Sequence, residues 1–283
     1  MSGEENTGES AGYSKRFEDL SFTDDYIFKL VMERHDVFRA VLSVVLPEIE
    51  VETLASLESE KPFTLGYFLH GARFDIIAKG SKTFLDVEMQ VCDEGESAER
   101  SLFYLGLLIS MSLKKGESYK SLPESCVIFF CKFDPFKRGL PVYTFSLTCG
   151  ECEGLSIEGR ARIMLFNAAA WQKAKTPKLQ SLLRFILTGE ASSEETKLVL
   201  DAVIDAKKDP NTKGGWGMLQ DQMIAAERRG EKRGERRGEK RGAREKAVET
   251  ARNLFGLKLL TPEQIAQATG LSHEEVQSLA QGV

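Results

Sequence analysis

The stretch FDIIAKGSKTFLDVEMQ, residues 74–90, decides the reading of this chain. It divides into two strand-like halves around Gly80-Ser81, a pair that suits a two-residue hairpin turn with glycine first. Such a turn sets Lys79 opposite Lys82, Asp75 opposite Asp86 and Arg73 opposite Glu88. Side chains alternate across a strand, so Arg73 and Asp75 share one face with Asp86, Glu88 and Gln90. The other face collects Phe74, Ile76 and Ala78 with Leu85, Val87, Met89 and Val91, which are core-forming side chains. Ile77 and Phe84 pair on the acidic face near the turn. Beyond them that face is expected to border a cleft, with Asp75 and Glu88 as diagonal neighbours about 7 Å apart at the backbone.

Directly opposed carboxylates repel, so this face needs compensation. Arg73 can neutralise one acid. A divalent cation suits the others, because magnesium takes one or two carboxylates and keeps its waters. The competing explanation is a solvent-exposed sheet face carrying incidental acids, and the residues alone leave both open.

Working outward, DDYIFKLVMERHDVFRAVLSVVLPEI at 24–49 has the apolar spacing of one or two amphipathic helices, with Thr23 as N-cap and Pro47 marking the end. Strand-like sequence begins near 67 and resumes at 83–91. A helix follows at 98–114, stopped by Lys114-Lys115-Gly116. SCVIFFCKF at 125–133 and PVYTFSLT at 141–148 are strands, and 158–207 is largely helical from the spacing in LQSLLRFIL and ETKLVLDAVIDA. The sum is an α+β or α/β fold with a single sheet.

The chain has 283 residues, 42% hydrophobic and 29% charged, enough for one medium domain with a core and a smaller appendage. No apolar run of about 18 residues occurs, and LFYLGLLISMSL at 102–113 is too short to span a bilayer. No membrane association is expected. Residues 1–16 are polar and Gly/Ser-rich, without an apolar segment, so they are expected to form a disordered leader on a cytoplasmic protein. Five cysteines, an odd number, point to reduced thiols. Cys149-Gly-Glu-Cys152 has half the spacing of a zinc site, with neither a second pair nor a nearby histidine to complete it. His35, His70 and His273 are isolated.

Net charge is −5, unevenly spread, because residues 227–246 hold ten Lys/Arg against five Glu. Within them ERRGEKRGERRGEKRG, 227–242, repeats every four residues. Four glycines weaken a helix by about 1 kcal/mol each, so a solvated, partly helical linker is expected, with a phosphate-tracking stripe as the sharper alternative. At 261–281, Thr261-Pro262 with Gln264, Gly270, and Ser272 with Glu275 outline two short capped helices of helix-turn-helix type. The second lacks Arg, Lys and Asn, so packing or homo-oligomer assembly suits it better than base reading. The organisation expected is a leader at 1–16, the main domain at 17–226, a linker at 227–246 and a helical module at 247–283.

The hairpin and its surroundings carry a resemblance. Asp75 followed by Glu88-Met89-Gln90 resembles the Asp…Glu-x-Gln variant of the PD-(D/E)XK nuclease core. Asp25-Tyr-Ile-Phe28-Lys29, Arg73-Phe-Asp75, Arg100 with Tyr104, and Lys115-Gly116…Tyr119 are similar to the Rpn family of recombination-promoting nucleases, also described as transposases. The resemblance covers about 20–170, with the tail more loosely included. It implies a restriction-endonuclease-like mixed central sheet flanked by helices, with a helical C-terminal extension. It also implies a magnesium-dependent endonuclease acting on DNA, other divalent cations being possible, with a role in recombination or transposition. Asp75 and Glu88 would ligate the metal, and Gln90 stands where the superfamily usually has lysine. Lys29 or Arg73 would contact phosphate or serve as a structural ion-pair member, the latter suiting Lys29 better, and Arg100 and Tyr104 would lie beside the cleft or pack against the sheet. The departure at Gln90 keeps a catalytically weak or inactive DNA-binding or assembly protein as the alternative. A helical scaffold whose basic repeat engages a protein or RNA is a further one.

Overall fold

The computed structural model describes residues 15–49, 54–63, 72–80, 82–157, 161–257 and 259–280. Expectations for the leader up to residue 14, strand residues 67–71, His70, Ser81 at the turn and Gln281 lie outside them. The chain forms two compact units, Met1–Trp216 and Gly217–Val283.

In the first unit the amphipathic segment is two helices, α1 (Asp25–Met32) and α2 (His35–Val45). Their buried stripes are Ile27, Phe28, Val31 and Met32, then Val37, Phe38, Val41, Leu42 and Val45. Asp24, not Thr23, occupies the N-cap position of α1. Thr23 is buried, its hydroxyl 3.2 Å from that of Ser21.

The sheet has six strands: β1 (Leu54–Phe63), β2 (Ala72–Gly80), β3 (Thr83–Gln90), β4 (Glu124–Cys131), β5 (Val142–Ser146) and β6 (Ala161–Asn167). Their spatial order is β1-β2-β3-β4-β6-β5. β3, β4 and β6 run parallel, while β1, β2 and β5 pair antiparallel. Helix α3 (Ser97–Ser112) provides the crossover that a parallel β3–β4 pair requires. After β6 come α4 (Pro177–Thr188) and α5 (Glu194–Lys208). The mixed sheet flanked by helices is the architecture anticipated.

Both sheet faces are buried. Ile77, Phe84, Val127, Phe129, Ile163 and Leu165 form one core with Tyr104, Leu105 and Leu108 of α3. Ile76, Ala78, Leu85, Val87, Ile128 and Phe130 alternate to the other face and are equally buried. On the far side α1, α2, α4 and α5 pack on one another, and α1 reaches β2. Fully burying each large side chain contributes about 1.5–3 kcal/mol.

Three expectations are corrected. Residues 161–167, read as helix, are the inner strand β6. Residues 54–63 form an edge strand, β1, that the sequence reading lacked. The hairpin register is shifted by two: Lys79 pairs with Phe84 and Ile76 with Val87. Gly80 does not open the turn, because it extends the ladder with β1 by pairing with Leu54. A shift of two preserves the faces but sets Asp75 level with Glu88, and Asp86 opposite Ile77.

Helix α6 runs from Pro210 to Leu257. Its first turns belong to the first unit, where the Tyr26 hydroxyl donates to the Thr212 carbonyl (2.8 Å) and the Tyr26 ring lies 5.5 Å from Trp216. Gly215 is needed there, since a Cβ would collide with the Tyr26 hydroxyl.

In the second unit, α6 is followed by α7 (Pro262–Thr269) and α8 (His273–Ala280). Thr261 and Gln264 form the capping box, Gly270 ends α7 at φ +73°, and the Ser272 hydroxyl accepts from Glu275 N–H (3.2 Å). Ala251, Ile265, Leu271 and Val276 make a small core. The four-residue repeat at 227–242 is helical throughout and exposed. Among the described residues, no helix is long and apolar enough to cross a membrane.

Candidate active site

β2 and β3 are paired only as far as Ile76 and Val87. Past that rung β2 stays with β1, through Phe74–Lys61 and Arg73–Pro62, while β3 stays with β4, through Glu88–Phe129 and Gln90–Cys131. The two strands therefore part. Carboxylates fill the fork. The Asp75 N–H donates to Glu88 Oε1 at 2.7 Å, and the Met89 N–H donates to Asp75 Oδ2 at 3.2 Å. Each acid thus satisfies a main-chain donor that lost its ladder partner when the strands separated.

Helices supply the cations. From α1, Lys29 Nζ lies 3.3 Å from Asp75 Oδ1 and 2.7 Å from Asp25 Oδ1. From α3, Arg100 Nη2 lies 3.7 Å from Glu88 Oε2, and Arg100 Nη1 donates to Gln90 Oε1 at 3.4 Å. Arg100 Nη2 also donates to the Tyr104 hydroxyl (3.3 Å), which donates to the Arg73 carbonyl (3.2 Å). The Tyr104 ring is held edge-on by Phe74 and Phe129, at 5.1 and 5.9 Å.

The site is acidic, and its acids are buried. Asp86 and Glu88 have no exposed surface, and Asp75 is 9% exposed. Burial raises the pKa of all three. For Asp75 the Lys29 charge opposes the rise. Asp86 and Glu88 are pushed well above the carboxylate range, by burial first and then by the neighbouring negative charges. Tyr104 is pushed up to about 12 by burial and by Glu88, so it stays a donor at neutral pH.

Among the described residues no hydrogen-bond donor reaches either oxygen of Asp86 or Glu88 Oε2. Ionised carboxylates are acceptor-only, and buried ones without donors are costly. Among the described residues Lys29 and Arg100 are the cations paired with these acids, so ionisation of all three would leave the cluster short of positive charge. A hard divalent cation matches that deficit. Among the described residues no set of three or more His, Cys, Asp or Glu side chains converges as a ligand cage. The donor set fits a metal that takes one or two carboxylates and completes its shell with water and substrate oxygens.

The fold gathers Lys29, Asp75, Glu88, Gln90, Arg100 and Tyr104 at one place. Arg73 departs from expectation: its side chain is exposed, and only its carbonyl joins the network. Neutralisation, expected of Arg73, comes from Lys29 and Arg100. Asp75 and Glu88 are level across the fork, not diagonal. Asp86, legible only as one more acid on the strand, is fully buried beside them, so the solvent-exposed sheet face is ruled out. All five cysteines are free thiols, and Cys149 donates to Glu151 Oε2 at 3.4 Å.

Residues 22–144 match the family model of the PD-(D/E)XK nuclease family transposases, a span that contains every residue of this site. No curated protein and no solved structure matches the chain significantly.

Proposed function

We propose that the PD-(D/E)XK transposase-family domain of residues 22–144 is a magnesium-dependent endonuclease that hydrolyses phosphodiester bonds of DNA. The observation that supports this reading best is the fork. It brings two acids from different strands together with an orphaned oxygen on Glu88, flanked by cations from two helices.

Asp75 and Glu88 would hold the ion. Bound there, it would supply a water of lowered pKa and shield the charge on the phosphate. Lys29, already paired to Asp75 and Asp25, holds the Asp75 carboxyl in place and opposes the rise in its pKa. Gln90 has its oxygen engaged by Arg100, which leaves the amide N–H₂ end to donate to water or a phosphate oxygen. Gln90 brings no charge where lysine is usual. Arg100, 3.7 Å from Glu88 and bonded to Gln90, supplies the missing cation beside the same position. Tyr104 anchors Arg100 to the β2 backbone.

A second reading follows from the same bonds: the acids bridge parted strands in a nuclease fold that binds DNA or assembles without cutting. Plasmid nicking separates the two. The nuclease reading requires magnesium-dependent nicking by the wild type and its loss in Asp75→Ala and Glu88→Ala. Equal behaviour of all three proteins in the same magnesium titration would leave only the second.

A further inference from the structure

The four-residue repeat of α6 is placed by helical geometry into rows. Residues four apart stand one above another, each step precessing by about 40° and rising about 6 Å. One row is Arg229, Arg233, Arg237 and Arg241, an arginine ridge about 18 Å long. Helical ion pairs need an acid three or four residues away. Arg229, Arg233 and Arg237 have no acid at those spacings. Arg241 ends the ridge by reaching Glu245 at 3.7 Å. The neighbouring row is different: Arg228, Lys232 and Arg236 each stand three residues before a glutamate. All these side chains are exposed.

On the other flank of the ridge lies a row of glycines, Gly230, Gly234, Gly238 and Gly242. A Cβ at any of them would meet nothing within 4 Å, so no packing inside the chain requires glycine there. Each lowers helix stability by about 1 kcal/mol against alanine. Their effect is to leave the helix backbone bare beside a line of guanidinium groups. An extended polyanion can lie close along such a surface, whereas a protein groove would need apolar anchors that this stretch lacks.

We infer that the α6 ridge Arg229–Arg233–Arg237–Arg241 is a sequence-independent binding site for the phosphate backbone of duplex DNA, separate from the carboxylate site. The choice of DNA as the polyanion rests on the nuclease reading. Guanidinium groups suit phosphate, and their row pattern sets them apart from the basic residues that neutralise glutamate.

The test measures anisotropy of a labelled DNA duplex of random sequence. It uses the full chain carrying Asp75→Ala, in chelator, so that cleavage plays no part. Two triple variants remove equal charge: Arg229→Gln, Arg233→Gln, Arg237→Gln, and Arg228→Gln, Lys232→Gln, Arg236→Gln. Glutamine keeps helix propensity, and circular dichroism checks that the helix persists. The ridge triple is expected to weaken binding at least tenfold. It should also flatten the dependence of log affinity on log salt by about 2 to 3, near 0.9 for each phosphate left unneutralised. The other triple should change both by less than half as much. Equal losses in the two triples, no loss in the ridge triple, or tighter binding of an RNA duplex would each overturn the inference. None of these results bears on magnesium-dependent nicking, which is read separately.

Discussion

Glu88 accepts the main-chain N–H of Asp75 at 2.7 Å, so the two acids are bonded across the strand fork. The two oxygens of Glu88 divide their work. Oε1 closes a gap in the sheet, and Oε2 is unsatisfied except for Arg100 at 3.7 Å.

Glu88→Gln keeps an acceptor for the Asp75 N–H and removes a buried ionisable group, whereas Glu88→Ala removes both. The alanine variant is expected to lose about 1–3 kcal/mol of stability, and the glutamine variant to match or exceed the wild type at neutral pH. Both should lose nicking. Chemical denaturation beside the plasmid assay checks the split.

Burial raises the Asp86 and Glu88 pKa values in the folded state. An acid of this kind favours folding while protonated. Its contribution is complete below the ordinary carboxylate range near pH 4 and is lost as pH rises through the raised value. Metal-free wild type should therefore become less stable from about pH 4 toward neutrality and above. In Asp86→Asn this decline is expected to be shallower. Melting temperatures across pH in chelator give the comparison, and added magnesium should restore part of the wild-type loss.

Tyr104→Phe keeps the ring contacts with Phe74 and Phe129 but frees Arg100 from its tether. Stability should change by less than about 1 kcal/mol. Turnover should fall roughly tenfold, about 1.4 kcal/mol in the barrier, with little change in KM. Because the phenol stays protonated up to about 12, the loss should be the same at neutral and mildly alkaline pH. Steady-state cleavage of a short duplex measures it.

Asp134 accepts from the N–H groups of Phe136 (3.2 Å), Lys137 (3.0 Å) and Gly139 (2.6 Å) and from the Tyr143 hydroxyl (2.7 Å). Burial works to raise its pKa, but the Tyr143 hydroxyl and these N–H donors outweigh it and hold the group low. Asp134→Ala should cost about 1.5–3 kcal/mol at neutral pH. The gap from wild type should narrow as pH falls below about 4 through the depressed pKa, where the stabilising charge is lost. Thermal melts of both proteins across that window decide it.

Alanine at Gly230, Gly234, Gly238 and Gly242 meets open space. The quadruple variant should gain helix stability, by up to about 1 kcal/mol per site. A later loss of ellipticity at the helical minimum on heating is the readout.

The sequence carried the acidic face because residues two apart share a face whatever the register. It did not carry the register itself, because the Gly80-Ser81 dipeptide resembles a turn opening while Gly80 is claimed by β1. Strand β1 was hidden by its own chemistry: Glu58, Glu60, Lys61 and Pro62 are what an edge strand tolerates and what a loop also contains. Strand β6 misled in the opposite way. ARIMLFN lies between two strands with both faces covered, so it lacks clear alternation, and its Ala, Met and Leu favour helix. Arg162 fits that strand by reaching outward to Glu48 at 2.7 Å. In the site, Asp75, Glu88 and Gln90 followed from motif spacing. The bond from Arg100 to Gln90 did not, since it depends on how α3 crosses the sheet.

The parting of β2 and β3 would also tie ion capture, on the proposed nuclease reading, to the bonds of the sheet itself. Glu88 Oε1 accepts from the neighbouring strand while Oε2 faces Arg100 at 3.7 Å, and Asp75 accepts from Met89 through Oδ2 while Oδ1 faces Lys29. An ion drawn to Glu88 Oε1 or Asp75 Oδ2 would share that oxygen with a structural bond, through its second lone pair. On the proposed nuclease reading Glu88 Oε2 is the oxygen a cation would meet first, and an ion that demands a crowded inner sphere, such as calcium, would compete with the bonds that hold the strands.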